Sequence, residues 1–150
     1  MSRDAVIRKG VGGLPFPVRD ATPVTEAKPL SQAKVAIVTT AGFRPAGSAE
    51  VWQPGDVGYQ EFSSDLRDMQ LSHFSPNFDR VGVAQDLNVV YPIDRLDELA
   101  ADGVIGSVNH RHFSFMGAQF DLSAILADSG PAVAQQLLAD EVDIVLLTPV

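Results

Sequence analysis

The sequence predicts an α/β fold: a small three-layer domain with a mainly parallel sheet, preceded by an extended Pro/Gly-rich N-terminal arm over residues 1–33. Three observations carry this. Residues 35–38, and 142–147 apart from Asp143, are apolar runs of the kind that a strand buried on both faces requires. Helical periodicity lies between them, at 92–102 and 131–140, so the two strands pair in parallel through right-handed crossovers. With 150 residues, 45% of them apolar, the chain can bury the core of one domain and hardly two, which makes 34–150 a single unit.

Each element has a local reason. Residues 10–33 hold Gly10, Gly12, Gly13, Pro15, Pro17, Pro23 and Pro29, a density that disfavours both helix and central strand. At Lys34 the text changes to KVAIVTTAGF, a buried strand that runs out into Thr39, Thr40 and Gly42. Residues 44–80 are polar and aromatic, punctuated by Gly and Pro, and read as ordered loop with short strands at 60–63 and 69–73. Residues 88–90 form a short strand, Pro92 takes the first helical position, and Asp94 follows in the first turn. Ile93, Leu96, Leu99 and Ala100 share one helical face, and Gly103 supplies the left-handed residue past its end. Residues 107–115 are extended. A helix over 117–128 buries Phe120, Ile125 and Leu126, with Met116 in the core before it. A last helix, opened by Pro131, buries Val133, Leu137 and Leu138.

Composition excludes several function classes. Eleven Lys and Arg against 19 Asp and Glu give a net charge of -8, which repels nucleic-acid phosphates and anionic membranes. The chain has no cysteine, hence no disulfide, zinc ribbon, iron-sulfur cluster or thiol nucleophile. Arg3, Asp4, Arg8 and Lys9 stand where a secretory leader needs an apolar stretch, and no apolar run approaches the roughly 20 residues of a membrane helix. A cytoplasmic protein is expected.

In open α/β sheets ligands gather outside the carboxyl ends of the strands, which nominates Thr39, Thr40, Gly42 and Thr148 as substrate-binding positions. The segment LSHFSPNFDR at 71–80 packs His73, Ser75, Asn77, Asp79 and Arg80 into one polar loop, either a binding surface or a hydrogen-bonded plug. His110 and His112, spaced i and i+2, point the same way if 109–113 is a strand. With His73 and Asp79 they could ligate zinc or non-haem iron; they could bind substrate and transfer protons; or they could satisfy backbone groups. Without a G-x-S-x-G elbow, the Ser75, His73 and Asp79 set is no hydrolase triad. Asp94, Asp97 and Glu98 read as first-turn and solvent-face residues of their helix.

Five stretches in order, PLSQAKVAIVTTAGF, SHFSPNFDR, NVVYPIDRLDELAADGVIGSV, HRHFSFMGA and VDIVLLTPV, resemble the selenoprotein B family of glycine, sarcosine, betaine and D-proline reductases, from about residue 28 to Val150. The resemblance implies an oxidoreductase that cleaves a carbon–nitrogen bond of an amino acid or related amine. In that family the strand similar to 142–148 runs directly into selenocysteine or cysteine, with a cysteine a few residues on. No position of this chain matches that nucleophile. The expectation is a short relative in which an in-frame UGA follows Val150. The chain as given is then inactive, without cofactor or metal, and selenocysteine belongs to its full-length form. The resemblance carries over His73, Asp79, His110 and His112 as proton-supplying pocket residues, and Thr39, Thr40 and Thr148 as loops around the nucleophile. Its implied partners are a small amine or amino-acid substrate and a thiol or selenol redox protein, with a homo-oligomer compatible. Two alternatives stand beside it: a non-catalytic binding or scaffold paralogue, and a metal-dependent enzyme built on His73, His110 and His112.

Overall fold

Val35, Ala36 and Ile37 carry nothing that needs water on either face, and the sheet is assembled on the strand they form. In the computed structural model, which describes residues 2–13, 21–22, 25–73, 75, 80–119 and 121–150, that strand is β1 (Lys34–Thr39). After it come β2 (Phe43–Pro45), β3 (Tyr59–Ser63), β4 (Met69–Leu71), β5 (Ser107–Val108), β6 (Arg111–Phe115) and β7 (Ile144–Thr148). β5 and β6 lie along β1, as does β7, all parallel to it, while β3 runs antiparallel to β6. β2 and β4 make a separate antiparallel ribbon with Phe43 opposite Leu71. The sheet is mainly parallel, as the sequence predicts.

The helices are α1 (Arg3–Gly12), α2 (Val81–Gln85), α3 (Ile93–Ala101) and α4 (Gly130–Ala139). Alternate side chains of β1 face opposite ways. Val35 and Ile37 pack with Tyr91, Ile93 and Leu96, whereas Ala36 and Val38 pack with Phe113, Val133 and Leu137. α3 therefore covers one face and α4 the other, giving three layers. Burial of Ile93 and Leu96 contributes about 1.5–3 kcal/mol each. Asp94 and Asp97 bind Arg67 at 2.7 Å each and Glu98 binds Arg95, so these acids hold the exposed side of α3. Gly103, at φ 71°, closes the helix.

Five local expectations are corrected. The arm is not extended throughout: residues 3–12 are helical, opened by the Ser2 hydroxyl, which accepts from the Ala5 N–H at 3.2 Å, and glycines stand only at the helix end. Residues 87–89 form a 3-10 turn instead of a strand, because the Asp86 carboxylate captures the Asn88 N–H at 2.9 Å. Pro92 is the cap of α3 and not its first residue. The helix over 117–128 shrinks to a π-turn at Ile125–Ser129: Ala118 sits at φ 58°, and Asp121 accepts from the Ser123 N–H at 2.9 Å, so helical geometry starts late. Leu126 is exposed there, and Phe120 lies outside the described residues. β7, finally, is not buried on both faces. Among the described residues it pairs with β1 alone, and Val145 and Leu147 are 38% and 68% exposed. Leu138 is exposed as well.

Between β5 and β6 the ladder to β1 is broken. Four residues, 109–112, stand opposite Ala36 and Ile37, so the strand bulges. The bulge is clasped to the end of α4: Asp140, its side chain 8% exposed, receives Arg111 Nε at 2.7 Å, Arg111 Nη2 at 2.8 Å and Asn109 Nδ2 at 3.0 Å. The Arg111 bond above all holds the Asp140 carboxyl down to about 2. Asp140→Ala is expected to lower stability in urea by about 2–4 kcal/mol, since it leaves the guanidinium only Gln136 and the more distant Glu61, at 3.4 Å. The stabilisation is present above the unfolded carboxyl pKa and is lost as pH falls from about 4 towards 2. A urea series over that range, with and without the substitution, measures it.

Candidate active site

The carboxyl ends of β1 and β7 are stitched together by threonines. Thr39 Oγ1 donates to the Thr148 carbonyl at 3.2 Å and accepts from the Ala41 N–H at 3.2 Å. The Thr40 N–H donates to the same carbonyl at 3.2 Å, and the Val150 N–H donates to Thr40 Oγ1 at 2.8 Å. On the other side of β1, the Gly117 N–H reaches the Thr40 carbonyl at 2.9 Å and the Gly42 N–H reaches that of Phe115 at 2.9 Å. Thr148 Oγ1 is buried and has no partner among the described residues.

Gly42 turns the chain at φ 64°, where a Cβ would stand 2.6 Å from Met116 Cε and 3.4 Å from the His73 nitrogen. This close packing brings His73, 3% exposed, into the corner. Its Nδ1 accepts from the Ser75 N–H at 3.2 Å, so the neutral ring carries its proton on Nε2. A Cβ added to Gly117 would lie 2.7 Å from that Nε2, 2.9 Å from the Thr40 carbonyl oxygen and 3.0 Å from the Val150 carbonyl oxygen. Glycine is what lets these three groups converge. Burial lowers the His73 pKa, and the charge of Arg80 lowers it further; Arg80 Nη2 donates to the His73 carbonyl. The ring is therefore a neutral hydrogen-bond donor at neutral pH. A cleft of about 560 Å³ opens beside Thr40, Gly117 and Val150, walled by Phe115, Leu137 and Leu147.

The remaining histidines lie elsewhere. His112 is fully buried inside the sheet at the bulge, where Nδ1 accepts the Ile37 N–H at 3.0 Å in place of a ladder carbonyl. Its ring meets Tyr91 edge-on at 5.6 Å, and burial pushes its pKa down to about 4. His110 is 72% exposed, 4.0 Å from Asp140. The two do not point the same way, because the bulge interrupts the two-residue alternation between them. Among the described residues no three His, Cys, Asp or Glu side chains face one point, so His73, His110 and His112 do not assemble a metal set. Asp79 lies outside the described residues. No helix among those described is long and apolar enough to cross a membrane.

The glycine/sarcosine/betaine reductase selenoprotein B family model matches residues 11–150. The chain belongs to that family. Among the relatives of this selenoprotein B chain is the D-proline reductase subunit gamma of Acetoanaerobium sticklandii, 35% identical over 129 residues, which are 85% of this chain and 52% of that protein. The glycine reductase complex component B subunit gamma of Carboxydothermus hydrogenoformans is 32% identical over 141 residues, 90% of this chain and 32% of that one. The sarcosine reductase complex component B subunit beta of Peptoclostridium acidaminophilum is 31% identical, with 89% and 32% covered. The chain thus spans from a third to a half of the length of these relatives, which are subunits of multi-component reductases. No solved structure matches it significantly.

The structure brings His73, Thr39, Thr40, Gly42 and Thr148 to one end of the selenoprotein B sheet, with Ser75 contributing its backbone N–H. Sequence reasoning named Arg80 as a member of the polar loop at 71–80 without giving it a role, and it did not single out Gly117 as a site residue. The signal for Gly117 is a glycine two residues past a predicted strand, where a close approach of backbone is common.

Proposed function

We propose that this chain serves reductive carbon–nitrogen cleavage of a small amino acid or related amine, with selenocysteine or cysteine following Val150 as the nucleophile. The observation that supports it is the convergence of His73 Nε2 and the Val150 carbonyl oxygen on one point beside Gly117. A selenolate or thiolate there supplies the electron pair that bonds to the carbon as the amine leaves, and a dithiol partner, oxidised to a disulfide, supplies the two electrons that release the reduced product. The chain's own residues do the rest. His73, neutral because Ser75 occupies Nδ1, directs its Nε2–H at the anion and stabilises it; this suits a fixed donor better than the proton carrier that the family resemblance suggests. Thr40 fixes Val150 through its hydroxyl, and Thr148 Oγ1 offers a second buried donor. We place the reaction in the cytoplasm, where thiol donors are kept reduced. The 150 residues without that nucleophile are inactive in it.

Genomic DNA beyond the Val150 codon tests the reading. It expects TGA, or a cysteine codon, with a further cysteine codon within a few triplets; TAA or TAG overturns it. In the family-length protein, His73→Ala is expected to lower kcat by about 100-fold, with His73→Gln, which keeps an N–H donor, recovering part of the loss.

A further inference from the structure

A substrate carrying both an amine and a carboxylate needs a cation as well as a nucleophile, and the strand ends hold none. The cleft beside Val150 is lined by no charged side chain. The other described cations of the domain are already engaged: Arg67 by Asp94 and Asp97, Arg95 by Glu98, Arg111 by Asp140, and Lys28 by Asp143. Lys34 Nζ donates to the Asp140 carbonyl at 2.6 Å. Arg44 is consumed by four oxygen acceptors, those of Ser72, Gln70, Ser48 and Glu50.

Arg80 differs from all of these. In a chain with an excess of acids it pairs with no carboxylate among the described residues, and its side chain is exposed. One N–H is spent on the His73 carbonyl, which tethers the guanidinium to the residue whose ring faces Val150. Arg80 also lines a cavity of about 610 Å³, shared with Phe43, Leu71, Val83 and Leu87 and with the amides of Gln70 and Gln85. Arg67 lines the same cavity with its charge already answered.

We propose that Arg80 seats the carboxylate of the substrate, holding the amine-bearing carbon towards the strand ends. The inference rests on the amino-acid chemistry proposed above for this site. A guanidinium suits the task because its planar fork bonds both carboxylate oxygens. Lysine in its place keeps the charge and loses the fork.

D-proline and pyrrolidine form a matched pair of probes, alike in ring and amine and differing in the carboxylate. The 150-residue protein, ¹⁵N-labelled, is titrated with each at constant ionic strength while the Arg80 Nε–H and Ser75 amide signals are followed. Saturable, roughly millimolar binding of D-proline is expected, with pyrrolidine at least about tenfold weaker. Arg80→Gln should abolish the difference and Arg80→Lys should keep part of it, both with a wild-type spectrum elsewhere. Equal binding of the two probes, no saturation with either, or a difference that survives Arg80→Gln overturns the proposal. Inorganic phosphate displacing D-proline at equal concentration also overturns it, since the seat would then be one for any anion. The readout needs no nucleophile, so a TAA codon after Val150 would sink the redox reading and leave this result standing.

Discussion

His112→Ala is expected to cost about 4 kcal/mol in urea unfolding, the largest loss of any single polar side chain in the domain. Two deficits add. The Ile37 N–H, buried in the middle of β1, loses the ring nitrogen that stands in for a ladder carbonyl, which costs about 1–3 kcal/mol. The vacated space against Tyr91 adds a cavity cost of a few kcal/mol. His112→Phe separates them: it refills the volume without restoring the acceptor, so it should recover roughly half. The histidine also sets a pH dependence. Its folded pKa, about 4, lies below the value of about 6.5 expected in the unfolded chain, so the unfolded state binds more protons between those limits. Stability is full above about pH 6.5 and falls by up to about 1.4 kcal/mol per pH unit as pH drops towards 4. His73, shifted the same way, adds to that slope. In His112→Phe the slope should be markedly shallower; an unchanged slope would show that this ring is not held neutral by the fold.

Gly117→Ala should disable the site while leaving most of the sheet intact. The new methyl meets two backbone oxygens, at 2.9 and 3.0 Å, and an imidazole nitrogen at 2.7 Å. The Thr40 carbonyl, bonded by the Gly117 N–H, gives way less readily than a side chain, so the imidazole swings out and its bond from the Ser75 N–H is lost. Displacement of about 1 Å at a reacting group costs on the order of 100-fold in rate. In the family-length protein kcat should fall by that factor, and in the 150-residue chain the His73 ring ¹⁵N signals should lose their fixed Nε2–H pattern. Gly106→Ala is the control: its Cβ would strike Gln32 at 2.5 Å, far from the site, so it should lower stability and leave the His73 signals unchanged. Identical His73 spectra in Gly117→Ala and wild type would refute the convergence.

The parts of the fold legible in the sequence are those where one face or both exclude water. β1 is a run without polar groups because both sides are covered, and α3 follows from the spacing of Ile93 and Leu96. β7 misled because an apolar run does not say whether both its faces are covered; Val145 and Leu147 stand open. The pairing of His110 with His112 failed for a related reason: alternation holds only inside an unbroken ladder, and a bulge is invisible in a list of residue types. Thr39, Thr40 and Gly42 were legible as a strand end. Their meeting with His73 and Gly117 was not, because it depends on which strands flank β1, and strand order leaves no mark on local sequence.

The free margin of β7 governs how the isolated polypeptide behaves in solution. Among the described residues no strand pairs with its outer edge, which invites another strand, and neither lysine, proline nor a bulge within 144–148 guards it. The common negative charge of -8 opposes such contact between copies, a long-range repulsion that added salt screens. Colloidal stability is thus greatest in dilute buffer, and raising ionic strength trades electrostatic repulsion for contact between exposed valine and leucine.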